Sequence, residues 1–295
     1  LKLGILGLSD GNGHPYSWSA ICNGYEAVAM QSCPFPVIPE YLGLQNYPDD
    51  FLSGVRVSHI WTQDKDVSAH VAKCCHIESV AERYTDMIGM VDGILLARDD
   101  AENHLEMSRP FLAAGLPVYI DKPLATNLRT AEAIYELERY EGQIFSCSAL
   151  RFAREFSLSG DELDNLGTLR LIDACVMKSW EKYAIHIIDP VLNILGDQAV
   201  PEEIKSSTSD GRKTVLVRWQ QGCHTVFSTL GYTECPIVIR LFGDKGYREL
   251  VFEDTFFAFR SALQLLADSI RTGSVPTPKQ GVLRAVSIIE GGMHG

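Results

Sequence analysis

Between residues 91 and 124 the chain reads as strand, helix, strand, with charged residues at the strand ends, and few folds accept that order. The apolar run 91–97 precedes a helical stretch in which Leu105 and Leu112 share a face and Gly115 stands where a helix ends. Val118, Tyr119 and Ile120 form a second buried run, which delivers Asp121, Lys122 and Pro123 at its carboxyl end. Apolar strands alternating with helices make a parallel sheet, and open α/β sheets take ligands outside the carboxyl ends of their strands.

The same rhythm extends to both sides. Residues 2–8, 55–61, 77–80 and 143–149 are further strand candidates, so six strands alternating with helices predict a Rossmann-type, doubly wound parallel sheet. Residues 24–54 break the pattern, with Pro34, Pro36, Pro39 and Pro48 and no sustained period, and read as a long loop. From about Arg151 the runs 169–177, 215–219, 224–230, 238–242 and 249–252 predict a largely antiparallel sheet, with Gly243 to Gly246 as a hairpin turn. Two amphipathic helices close the chain, one with Phe259, Leu263, Leu266 and Ile270 on a face, the other with Val282, Ala285, Val286 and Ile289. The expected fold is α/β followed by α+β. A dinucleotide-binding domain covers 1–124, its sheet completed by the helix and strand up to about 149, and a substrate-binding and oligomerisation domain covers 125–295.

A formal net charge of −12 argues against nucleic acid or an anionic membrane as partner, though a local phosphate site remains compatible with it. Eight cysteines occur without a C-x-x-C pair or metal-ligand spacing, so no metal is expected and buried, reduced thiols are the simpler account. No apolar run approaches a membrane span and the first residues carry no signal-peptide pattern, which points to the cytoplasm. The chain opens at Leu1 directly into a strand, as a trimmed chain would.

A dinucleotide fold needs a tight turn after its first strand, so that backbone N–H groups and a helix N-terminus face the pyrophosphate. Here that turn is Gly7-Leu8-Ser9-Asp10-Gly11-Asn12-Gly13. Gly7 matches the first glycine of G-x-G-x-x-G, Ser9 stands at the second, and the third is displaced to Gly11 or Gly13. Asn12 lies within the same loop. The ribose-reading acid belongs at the end of the second strand, where Thr62 and Gln63 stand; Asp64 either serves there or caps the next helix. With neither an acid at 62 nor a following arginine, NAD and NADP both stay open. After the fourth strand, Arg98 either touches a cofactor or substrate phosphate or pairs with a neighbouring Asp; Asp99 and Asp100 occupy N-cap positions, and Asp99 is also a cofactor-binding candidate.

The Asp121-Lys122-Pro123 step resembles the Glu/Asp-Lys-Pro signature of the Gfo/Idh/MocA (glucose-fructose oxidoreductase/inositol dehydrogenase) family, whose lysine sits beside the nicotinamide and the bound sugar. The resemblance implies that Lys122 is a catalytic and substrate-binding group, that Asp121 lies at the cofactor, and that His104 is the family's histidine after the fourth strand. In the second domain, residues 182–189 are similar to the family's Asp-x-Gly-x-His-x-x-Asp. His186 and Asp189 match and are expected to handle proton and substrate, while Lys182 replaces the catalytic Asp and Ala184 the Gly. Tyr183 is a further candidate acid. If 182–195 is one helix, Lys182, His186, Asp189 and Asn193 share a wedge of about 60°.

The resemblance implies an NAD(P)-dependent oxidoreductase of a sugar, polyol or nucleotide sugar, assembled as a homodimer or homotetramer through the second-domain sheet. The alternative is a non-catalytic sensor or corepressor of the same fold; a glycosidase using tightly held NAD is a third reading.

Overall fold

The structure, a computed structural model, describes residues 1–294. The chain forms two compact units, one built from residues 1–124, 132–146 and 259–278, the other from 125–131, 147–258 and 279 onward.

The first unit is organised by six parallel strands: β1 (Lys2–Leu6), β2 (Arg56–Trp61), β3 (Ser79–Val80), β4 (Gly93–Leu96), β5 (Val118–Ile120) and β6 (Ile144–Phe145). Their order is β3-β2-β1-β4-β5-β6, the doubly wound arrangement expected from the alternation of runs. Every residue of β4, β5 and β6 is buried, which is why these strands read as continuous apolar runs rather than as alternating ones. The strand order reverses between β1 and β4. The carboxyl ends of β1, β4 and β5 are therefore neighbours, and the loops after them meet at one edge.

Helices α1 (His14–Asn23), α2 (Ala27–Met30), α3 (Val37–Leu42), α4 (Lys65–Cys74) and α5 (His104–Ala113) belong to this unit. The segment 24–54 is not the long loop expected from its prolines. It holds α2 and α3, and it buries Met30, Ile38, Leu42, Phe51 and Leu52. Two helices of four and six residues are too short to leave a readable 3.6-residue period. The segment packs closely on the loop after β1: a Cβ built on Gly13 would stand 2.6 Å from Ile38 Cδ1 and 2.9 Å from the Phe35 ring.

Helices α6 (Leu128–Tyr135) and α7 (Gly160–Leu166) follow; α7 starts with a capping box between Ser159 and Glu162. The second unit contains β7 (Leu169–Val176), α8 (Trp180–Tyr183), α9 (Ile185–Leu195), β8 (Pro201–Ser209), β9 (Arg212–Trp219), β10 (His224–Thr229), β11 (Val238–Gly243) and β12 (Tyr247–Val251). The strands form one sheet in the order β12-β11-β7-β10-β9-β8. Its pairs are antiparallel except β7 with β10, which run parallel. Strand β8 escapes sequence reading because it lies at the sheet edge with no buried residue, and its charges Glu202, Glu203 and Lys205 suit an exposed edge. Two long helices, α10 (Thr255–Thr272) and α11 (Lys279–Met293), carry the two predicted apolar stripes. Among the described residues no helix is long and apolar enough to cross a membrane.

Candidate functional site

In the first unit the three adjoining loops converge on Asp121 and Lys122. Both are almost completely buried, Asp121 at 1% and Lys122 at 5% exposure, although each carries a charge that burial penalises. Compensation is visible in the contacts. Asp121 accepts hydrogen bonds from Asn12 Nδ2 at 2.8 Å, from the Lys122 backbone N–H at 2.7 Å and from His14 Nδ1 at 2.6 Å. Burial pushes its carboxyl up, but the neighbouring His14 and Lys122 charges, with their hydrogen bonds, outweigh that and hold it well below the usual carboxylate range. Asp121 is thus a fixed anion.

The Lys122 ammonium stands 3.5 Å from Asp99 Oδ2, a second buried carboxylate. Asp99 in turn accepts from Ser9 Oγ at 2.7 Å, and its backbone N–H donates to the same Oγ at 3.0 Å. Asp99 therefore does not cap the helix that follows, as its position suggested; its side chain belongs to the lysine. Asp100 does not cap either. It takes the Arg98 guanidinium through two contacts, one of them Nε to Oδ1 at 2.9 Å, and also accepts from Asn103 Nδ2. Burial pushes the Asp100 carboxyl up; the Arg98 hydrogen bond and charge overcome this and hold it below its ordinary value. Of the two readings left open for Arg98, the ion pair with a neighbouring Asp is the one observed. His104 is fully buried, its ring nitrogens 2.9 Å from the Leu124 carbonyl oxygen and 2.7 Å from that of Arg98. Its ring joins the loop after β4 to the loop after β5, a positioning task.

The loop after β1 supplies backbone donors. Among the described residues, the N–H groups of Ser9, Asp10, Gly11 and Gly13 donate to no protein acceptor, whereas those of Asn12 and His14 are taken by Ser9 O and Asn12 Oδ1. Gly11 has φ +74 and open space where a side chain would project, so a ligand can approach the backbone there. Four unpaired amides before the N-terminus of α1 fit a pyrophosphate. Gln63 braces the loop, its amide accepting from Leu8 N–H and donating to Leu8 O, both at 2.7 Å. Thr62 is buried with its hydroxyl on Asp64 O and Ser68 Oγ, and Asp64 caps α4 through Asp66 and Val67 N–H. The end of β2 therefore presents neither a ribose acid nor a phosphate-binding arginine, and the choice between NAD and NADP stays open.

His14 escaped the sequence reading. Its ring stacks on Trp18 at 4.6 Å, and Trp18 stacks on Tyr119 of β5 at 4.7 Å. The Phe259 ring closes on its edge at 5.1 Å. The only signal was a histidine directly after the glycine loop; nothing local says that it reaches Asp121.

In the second unit, Ser148 gathers two of the predicted residues. Its Oγ lies 2.9 Å from His186 Nδ1, and its N–H donates to Asp189 Oδ2 at 2.8 Å. Asp189 also pairs with Arg151 at 2.9 Å. Burial dominates at Asp189 and pushes its carboxyl above the ordinary value, against Arg151 and the Ser148 N–H. The Tyr183 ring meets His186 edge-on at 5.3 Å, and Tyr183 OH accepts from Lys178 Nζ at 2.5 Å. The expected helix over 182–195 is split: Lys182 lies on α8, His186 and Asp189 on α9, with Ala184 between them. Along α9 the wedge runs from buried Asp189 to exposed Asn193, so Asn193 is a surface residue. Sequence reasoning missed Ser148, Arg151 and Lys178.

A doubly wound sheet whose glycine loop offers free amides next to a buried Asp-Lys step is the nucleotide-binding unit of a Rossmann-type protein. Residues 41–148 match the Gfo/Idh/MocA family, described as an oxidoreductase family with an NAD-binding Rossmann fold, which bears out the resemblance carried by Asp121-Lys122-Pro123. Solved structures share the fold over nearly the whole chain. Myo-inositol 2-dehydrogenase from Lactobacillus plantarum is 14% identical with a TM-score of 0.74, over 98% of this chain and 95% of that one. UDP-N-acetylglucosamine 3-dehydrogenase from Acidithiobacillus ferrooxidans is 12% identical with a TM-score of 0.68, over 98% and 95%. GenD2 of gentamicin A biosynthesis, solved in complex with NAD, is 13% identical with a TM-score of 0.74, over 99% and 93%. No curated protein sequence matches the chain.

Proposed function

We propose that the protein is an NAD(P)-dependent oxidoreductase that moves a hydride to or from a carbinol or ketone of a sugar, polyol or nucleotide sugar. The observation that carries this reading is Lys122, held in a buried ion pair with Asp99 at the carboxyl edge of β5, beside a loop of unpaired amides. Stability does not account for a buried lysine there, since taking both charges out of water costs more than such a pair usually returns.

The amides of Ser9, Asp10, Gly11 and Gly13 would hold the pyrophosphate of the dinucleotide, which supplies or accepts the hydride when bound. Lys122 donates a proton to the substrate oxygen in reduction and removes it in oxidation. Asp99 fixes the Lys122 head group, and Asp121 fixes its backbone. His186, oriented by Ser148 through Nδ1, is the second proton-handling residue, with Lys182 and Tyr183 as further catalytic groups, and Asp189 binds substrate. The carbohydrate substrate class rests on the resemblance and on the enzymes that share the fold.

The test is titration of the purified protein with NADH and with NADPH, followed by tryptophan fluorescence, and then a turnover screen over sugars, polyols and nucleotide sugars. Saturable binding with turnover supports the reading. Binding without turnover of any of them favours the sensor, to which the loss of the family's Asp at Lys182 already points. His186→Ala is expected to lower turnover at least ~100-fold with dinucleotide affinity retained; wild-type turnover in that variant removes His186 from the mechanism.

A further inference from the structure

Counting from Gly7, the second and third glycine positions of G-x-G-x-x-G fall on Ser9 and Asn12. In the usual arrangement those glycines let the backbone approach the pyrophosphate and the helix pack closely. Here both positions carry polar side chains, and both are buried, Ser9 at 6% and Asn12 at 4% exposure. Each reaches a carboxylate that holds Lys122. Ser9 Oγ donates to Asp99 Oδ1 at 2.7 Å, and Asp99 faces the Lys122 ammonium. Asn12 Nδ2 donates to Asp121 Oδ2 at 2.8 Å, and Asp121 Oδ1 accepts the Lys122 N–H.

We propose that Ser9 and Asn12 are positioning residues for Lys122, tying the phosphate loop to both the head group and the backbone of the lysine. What looks like a degraded glycine signature is a replacement of one task by another. The loop gives up close packing at two positions and gains two side-chain links to the Asp-Lys step, while the amides of Ser9, Asp10, Gly11 and Gly13 stay available. A phosphate settling on those amides is then coupled to the placement of Lys122 through single hydrogen-bonded residues, without a moving domain. Asp99 completes the device, accepting from Ser9 on one oxygen and facing the Lys122 ammonium with the other.

The inference rests on the oxidoreductase reading for its catalytic consequence, but its structural content is testable without turnover. Ser9→Gly and Asn12→Gly restore the family's glycines, and Ser9→Thr keeps the hydroxyl. In the dinucleotide-free protein, the rate of Lys122 acetylation by acetic anhydride is followed by mass spectrometry, with thermal melts as the folding control. Lys122 is expected to acetylate several-fold faster in both glycine variants and at close to the wild-type rate in Ser9→Thr. Turnover should fall ~100-fold in Ser9→Gly through kcat, with KM and dinucleotide affinity little changed and the pH profile of kcat displaced; misplacement by about 1 Å is enough for such a loss. Glycine variants that bind dinucleotide more tightly, turn over undiminished and leave Lys122 as protected as before overturn the proposal. If Ser9→Gly does not fold, the contrast between Ser9→Thr and Ser9→Ala decides by the same readouts. If wild-type protein turns over nothing, the oxidoreductase reading fails, and the acetylation rates still decide this one.

Discussion

Replacing Lys122 by methionine is expected to lower turnover by about three orders of magnitude while dinucleotide affinity stays near that of the wild type. The size follows from the range of general acid–base catalysis, about 10²- to 10⁴-fold, and the selectivity from the proposed phosphate donors being backbone amides of another loop. The single variant has a second effect. Lys122 and Asp99 are both buried, so removing the ammonium leaves a carboxylate without its counter-charge, at a cost of about 3–5 kcal/mol. Folding and chemistry are separated by Asp99→Asn combined with Lys122→Met. The double variant should recover most of the lost stability in denaturant unfolding and none of the lost turnover. Turnover at the wild-type rate in that variant would show that Lys122 handles no proton.

The largest stability effect is expected at Asp121. Asp121→Ala leaves the Asn12 amide, the Lys122 N–H and the His14 ring without their acceptor in a buried place. The loss should be about 3–5 kcal/mol, roughly 10 °C in melting temperature for a unit of this size. Its pH dependence has a definite sign. The carboxyl is held below its unfolded value of about 3.9, burial being outweighed by His14, Lys122 and their hydrogen bonds. The stabilisation is therefore fully present above pH ~4 and disappears as pH falls further, through the folded value. Wild type and Asp121→Ala, compared by denaturant midpoints, should differ by a constant amount from neutral pH down to about pH 4 and converge below it. Convergence already near pH 6 would mean that another group carries the effect.

The elements that could be read from the sequence are those whose burial leaves a local trace. β1, β4 and β5 show as apolar runs because side chains on both faces of the sheet are buried, and α9 shows a buried stripe in Ile185, Ile188 and Leu192. β8 leaves no trace, since an edge strand without a buried residue has no hydrophobic alternation to display. The same divide runs through the site. Lys122 and Asp121 could be found because strand, carboxylate, lysine and proline lie in one stretch. Asp99 looked like a helix cap because local spacing cannot reveal a lysine just past the neighbouring strand. His14 and Ser148 were missed because their partners lie 107 residues away at Asp121 and 38 away at His186. Positions that depart from a known pattern were the informative ones: Ser9 and Asn12 could be seen in the sequence, but their purpose lies in where the side chains go.

The contact between Gly13 and the segment carrying Phe35 and Ile38 bears on how this loop could be exchanged with that of a relative. A methyl group at 13 would stand 2.6 Å from Ile38 Cδ1 and 2.9 Å from the Phe35 ring, so the neighbouring segment by itself already disfavours a side chain there. The turn after β1 and residues 24–54 are consequently a single module. A graft that imports a foreign turn alone would meet a surface shaped for the native one, and the smallest transplantable piece of this nucleotide site runs from β1 through to β2.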